Sequence, residues 1–150
     1  MQVLARARVG QWARYRMAGR FEQRLEVVKT TGRDVHLKLE MWLNGKSAGL
    51  PTTRVEDVEV DWALRAAERA KARVTSRPTT LTVAGRRWQT RLTIARWTYE
   101  GIGYERRTWT AADGPIYGII RMLLTAGDRL EASIELVEFG RVPQAGAKPK

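Results

Sequence analysis

The stretch Val35-His36-Leu37-Lys38-Leu39-Glu40-Met41-Trp42-Leu43 constrains the fold more than any other in the chain. Apolar residues stand at 35, 37, 39, 41 and 43, with His36, Lys38, Glu40 and Trp42 between them. A period of two is the side-chain repeat of a β-strand, and here it gives the strand one buried face. At helical spacing the same residues would scatter around the axis. The run ends at Asn44-Gly45, a pair that tolerates the positive φ angles of a two-residue hairpin.

The same alternation recurs on both sides. Ala13, Tyr15 and Met17 oppose Trp12, Arg14 and Arg16 in a strand expected over 11–18, and Phe21, Gln23, Leu25 and Val27 define a second. Short turns at Gly19-Arg20 and at Thr31 to Asp34 make these three strands an antiparallel meander. Further strands are expected over 54–60, 79–83, 87–97, 104–110, 116–124 and 130–139. In the fourth-last of these, Trp88, Thr90, Leu92 and Ile94 share a face. Asp61 reads as the N-cap of a helix over 61–73, rich in Ala and ending in basic residues that match the helix dipole. That helix is expected to lie on the sheet or plug one end. The expected fold is therefore mainly β: an antiparallel up-and-down sheet of eight or nine strands, curled or forming an open barrel, with one helix packed on it. Residues 1–140 are expected to form a single domain and 141–150 a flexible basic tail.

Composition narrows the chemistry. The net charge is +11, with 21 Arg and 6 Lys spread along the chain in no block of five or six. Such a field favours anionic partners. With no Cys, disulfides and thiolate sites are excluded. His36 is the only histidine, which leaves no zinc set and no Ser-His-Asp set away from it. No Walker A or G-x-G-x-x-G motif is present. Asp57, Glu59 and Asp61, with Glu56 adjacent, could hold Ca²⁺, but their commoner use is as a solvated edge that discourages strand addition. No metal, no cofactor and no enzymatic activity are expected. No apolar run approaches the ~20 residues of a membrane span. Met1 to Gly10 is basic and lacks the apolar core of a signal peptide, which points to a cytoplasmic protein or to one whose leader has been removed.

Two candidate surfaces emerge. Tyr15, Leu25, Leu37, Leu39, Met41, Leu92, Ile94 and Ile134 would line the concave side of a curled sheet, as a filled core or as the wall of an apolar ligand site. Trp12, Arg14, Arg16, Trp42, Arg91, Trp97, Arg107 and Trp109 take the opposite parity. They form either the second face of the sheet, with Trp and Arg stacked across strands, or a platform for an anionic partner such as single-stranded nucleic acid or a lipid headgroup.

Three pieces of the chain carry a resemblance: Val9-Gly10-Gln11-Trp12-Ala13-Arg14-Tyr15, Pro115-Ile116-Tyr117-Gly118-Ile119-Ile120-Arg121-Met122 and Glu135-Leu136-Val137-Glu138-Phe139-Gly140. In order and spacing they resemble a group of bacterial secreted proteins of uncharacterised function. In style the chain is also distantly similar to the curved-sheet lipoprotein carriers of the Lol system. The resemblance implies an all-β sheet with a helix, a periplasmic or secreted location behind a removed leader, and a non-catalytic binding or assembly role. The implied partners are a lipid or an envelope protein. The alternative reading of the residues is a nucleic-acid-binding β-module.

Overall fold

Ten strands make up the computed structural model, which describes residues 7–17, 20–57 and 68–143. They are β1 (Gln11–Met17), β2 (Phe21–Thr30), β3 (Asp34–Leu43), β4 (Lys46–Ser47), β5 (Thr52–Asp57), β6 (Arg73–Val83), β7 (Arg86–Tyr99), β8 (Ile102–Thr110), β9 (Ile119–Ala126) and β10 (Arg129–Arg141). All pairings are antiparallel, and the strands join in one open, curled sheet in the order β4-β3-β2-β1-β10-β9-β8-β7-β6, with β5 also on β3.

The architecture is two meanders sewn together. The first runs β1 to β5 and the second β6 to β10, and short turns set each register. Asn44-Gly45, Ala84-Gly85 and Glu100-Gly101 all take positive φ at both positions, the geometry whose twist matches that of a hairpin. The seam is β1 against β10, where Gln11 to Met17 oppose Arg141 to Ile134 across a bulge between Arg14 and Tyr15. Arg141 is therefore strand rather than tail.

Parity along the first meander runs as expected. Ala13, Leu25 and Leu39 are direct cross-strand partners, as are Val27 and Leu37, and all five are buried. Tyr15, Val35, Ile120 and Leu136 complete the same core. The expected helix falls mostly outside the described residues. Among the described residues only Glu68 and Arg69 are helical within 61–73, Arg73 already belongs to β6, and 61–67 lie outside the described residues. Two other pieces close the core: the β6–β7 tip, with Val83 and Trp88, and the β8–β9 connection, with Ala111 and Ile116.

That connection is folded tightly enough to stop β9 from beginning at 116. Ala111 N donates to Gly118 O at 2.8 Å and Gly118 N donates to Pro115 O at 3.0 Å. Gly118 has φ +72, and a Cβ there would meet Ala111 O at 2.9 Å. Ile116 also holds a positive φ of 54, an outlier for a β-branched residue, while its side chain is buried. Packing offsets the strain.

β6 is longer than the expected 79–83 because all eleven of its residues pair with β7, Pro78 included. Pro is tolerated there because β6 is an edge strand. Along β7 the buried side changes parity. Trp88, Thr90 and Leu92 are buried, then Ala95, and neither neighbouring ladder shifts register between them. The change is therefore not a bulge, and Leu92 and Ala95 are buried outside the main core cluster.

Truncating Leu37, which is fully buried, should cost about 2–5 kcal/mol in urea denaturation of Leu37→Ala. Leu50→Ala, at a site 91% exposed, should stay within about 0.5 kcal/mol. Equal losses would contradict the placement of the core.

Candidate functional site

The residues expected to line a ligand site divide. Tyr15, Leu25, Leu37 and Leu39 are buried in the main core, with Ile134 packed against it, so their space is filled by side chains. Leu92 is buried outside that cluster, and Met41 and Ile94 are half-buried. Ile94 does not join the concave side: its direct partner is Arg107, and the buried residue at that point is Ala95.

The Trp/Arg set divides too. Direct cross-strand partners lie on one face, and a single unbroken row of them crosses nine strands: Ser47, Trp42, Glu22, Arg16, Glu135, Arg121, Trp109, Leu92 and Arg77. Trp12, Arg14 and Arg107 share that face by parity. Trp109 and Leu92, expected on opposite sides, are thus neighbours on the same side. Trp97 and Arg91 fall on the other parity; Trp97 stacks on Tyr104, with centroids 5.5 Å apart and planes at 5°.

This charged face is not an open cationic platform. Arg14 binds Glu138 at 2.9 Å and approaches Glu22 at 3.8 Å, Arg24 binds Glu26 at 2.8 Å, and Lys38 meets Glu40 at 3.3 Å. Arg121 lies 3.8 Å from Glu135 and stacks over Trp109, while Arg24 stacks over Trp12. Trp12 in turn sits against Gly140, where a Cβ would come within 3.0 Å of the indole. Acids on the same and neighbouring strands neutralise most of the bases, and arginines cover Trp12 and Trp109.

The unneutralised charge lies elsewhere. Between Glu68 and Glu100 there is no acidic residue in 31 positions, while Arg69, Lys71, Arg73, Arg77, Arg86, Arg87, Arg91 and Arg96 carry eight positive charges. Arg86 pairs with Asp113 and Arg96 with Glu105. Among the described residues no acid lies within ion-pair distance of the other six, and all six are exposed. Counting basic residues in blocks hid this; counting the gap between acids would have found it. On the outer side of the β6–β7 ribbon, Ser76, Thr80 and Thr82 alternate with Arg87, Gln89 and Arg91 across the ladder, all exposed, while Leu81, Val83 and Trp88 face inward. Arg91 donates to Ser76 Oγ at 3.1 Å. An open cleft of about 530 Å³, lined by Gln11, Gln89, Ala112, Asp113 and Gly114, borders the ribbon.

The perturbed titratable groups hold structure together. Tyr15 donates to Ile119 O at 3.0 Å, and burial, then Tyr117, push its hydroxyl above the usual phenol range. Burial and the Glu56 carboxylate push Tyr117 up to about 12. Glu56, expected on a solvated edge, is itself buried, with Arg54 at 3.4 Å. It turns inward because its partner on β3 is core Val35. Glu59 and Asp61 lie outside the described residues. Among the described residues no acidic or histidine cluster has a metal-binding arrangement. Hydrogen bonds from Arg96 and Arg107 hold Glu105 below the usual carboxylate range. No helix among the described residues is long and apolar enough to cross a membrane.

No protein-family model matches the chain, and no curated protein is significantly similar to it.

Because the folded state holds the Tyr15 and Tyr117 protons more tightly than the unfolded chain does, stability should be level below about pH 10 and fall above it. The slope should reach about 1.4 kcal/mol per pH unit for each tyrosine. Guanidinium unfolding of the Tyr15→Phe/Tyr117→Phe pair should show that alkaline slope removed; an unchanged slope would place both hydroxyls in water.

Proposed function

We propose that this chain is a non-catalytic binding module: a filled β-scaffold that holds an anionic partner on its outer surface. The observation that supports it most is the acid-free span from 69 to 99, which concentrates eight of the cations on one hairpin and its approach. A surface with six exposed cations that have no acid within ion-pair distance among the described residues raises the local concentration of anions, and its affinity depends on releasing counterions. The tyrosines with raised pKa fit a scaffold rather than a reaction centre, since both stay protonated at neutral pH and the Tyr15 hydroxyl ties β1 to Ile119 at the start of β9.

A second reading has its own support. On the parity of Ala95, the β7–β10 half carries half-buried Trp97, Tyr104, Met122, Leu124 and Ile134, with Tyr99 and Ile102 exposed at its end. This apolar strip suits an acyl chain, in the envelope setting that the resemblance implies. Native mass spectrometry of the purified protein would carry a bound lipid mass under this reading, and a ligand-free mass would defeat it.

The principal reading is tested by calorimetric titration with inorganic polyphosphate. Binding at about 50 mM salt should weaken at least about tenfold by 200 mM. Absence of binding at the lower salt, checked by equilibrium dialysis so that a heat-silent, entropy-driven association is not missed, would contradict it.

A further inference from the structure

We propose that the outer face of the β6–β7 ribbon docks the sugar–phosphate backbone of duplex DNA without reading its sequence. This rests on the anionic-partner reading and names both the surface and the partner. Three observations select duplex nucleic acid among polyanions.

The first is the chemistry of the face. Apart from Pro78, which stands opposite Arg91, its exposed side chains are hydroxyls, one amide and arginines: Ser76, Thr80, Thr82, Arg87, Gln89 and Arg91. These are the groups that contact phosphate and sugar oxygens. No acid stands among them, and Asp113 at the ribbon's end is neutralised by Arg86.

The second is what the face lacks. None of these residues is apolar and bulky, so the face has nothing to insert beneath a lipid headgroup, as a membrane-surface element does. Between 76 and 91 it carries no aromatic ring for unstacked bases, which single-strand binding uses; the aromatics on the same parity, Trp97 and Tyr99, lie farther along β7, beyond Thr93. The tryptophans of this half lie inward or beneath other side chains: Trp88 donates to Val83 O at 3.0 Å, Trp97 stacks on Tyr104, and Trp109 lies under Arg121.

The third is spacing and rigidity. Arg87 and Arg91 lie four residues apart on one strand, about 13 Å at the usual rise. Duplex DNA carries one phosphate charge per about 1.7 Å of helix axis, so a rigid pair of cations at that separation meets phosphates without needing a sequence. Arg73 and Arg77 belong to the opposite side of the ribbon, paired with Arg96 and Leu92, so the cations of this face are Arg87 and Arg91. The inward residues Leu81, Val83 and Trp88 are packed on the core, so the cations are presented on a fixed ladder rather than a mobile loop.

The test is fluorescence anisotropy with a labelled 20-base-pair DNA duplex, from 50 to 200 mM salt. Each phosphate contact adds about 0.9 to the salt slope, so Arg87→Gln/Arg91→Gln should flatten that slope by about 2. At 100 mM salt the same change should weaken binding about 60-fold. Arg16→Gln/Lys38→Gln, on the charged face, should bind like the unmodified protein. Unchanged near-ultraviolet circular dichroism shows that each variant is folded. No complex with unmodified protein at 50 mM salt overturns the proposal, as does ribbon-variant binding equal to wild type. If inorganic polyphosphate binds and the duplex does not, DNA is the wrong partner while the anionic-partner reading stands. Binding to vesicles containing phosphatidylglycerol, lost with Arg87 and Arg91 and unaccompanied by duplex binding, likewise overturns it in favour of a lipid headgroup.

Discussion

The seam between β1 and β10 is the interaction on which the rest of the structure depends. Every other pairing joins strands close in sequence, so each meander could form its own ladders. Only this one joins residues more than 100 positions apart. It makes one core from two half-sheets: Ala13 and Tyr15 stand on one side of it, Leu136 and Ile120 on the other. The bulge between Arg14 and Tyr15 adds local twist at this junction, as bulges do.

From the seam follows the division of labour between the faces. The core side is closed by the β6–β7 tip and the strained β8–β9 connection, so the interior is occupied. The charged face alternates acid and base across strands, and this gives register as much as energy, since exposed pairs contribute at most about 1 kcal/mol each. A strand slipped by one residue would bring leucines outward and glutamates inward. With these two surfaces committed, the excess positive charge is left on the β6–β7 ribbon.

What was legible in the residues was local. The alternation at Val35 to Leu43 and the hairpin at Asn44-Gly45 place β3 and its turn without ambiguity, and Ala13, Leu25, Leu37 and Leu39 read correctly as one apolar side. Parity carried along a strand failed where geometry changes with no sequence mark. The buried side of β7 changes parity between Leu92 and Ala95, so Ile94 left the inward side and Trp109 came to lie beside Leu92. Glu56 looked solvated because its neighbours are acidic, yet its ladder partner is Val35. The β8–β9 connection looked like strand because Ile116 is β-branched, and only its tertiary contacts hold that residue at positive φ. The long-range seam leaves no local trace at all.

Residue-resolved amide hydrogen exchange tests the central claim, that β1 and β10 weld two meanders into a single cooperative core. The backbone amides of the β1–β10 ladder, with those of β2 and β9 beside it, are expected to exchange only through global unfolding, at the free energy measured by denaturation. Exchange of the β1 and β10 amides at far lower free energy, with β2–β3 and β7–β8 still protected, would contradict the account and leave two independent sheets.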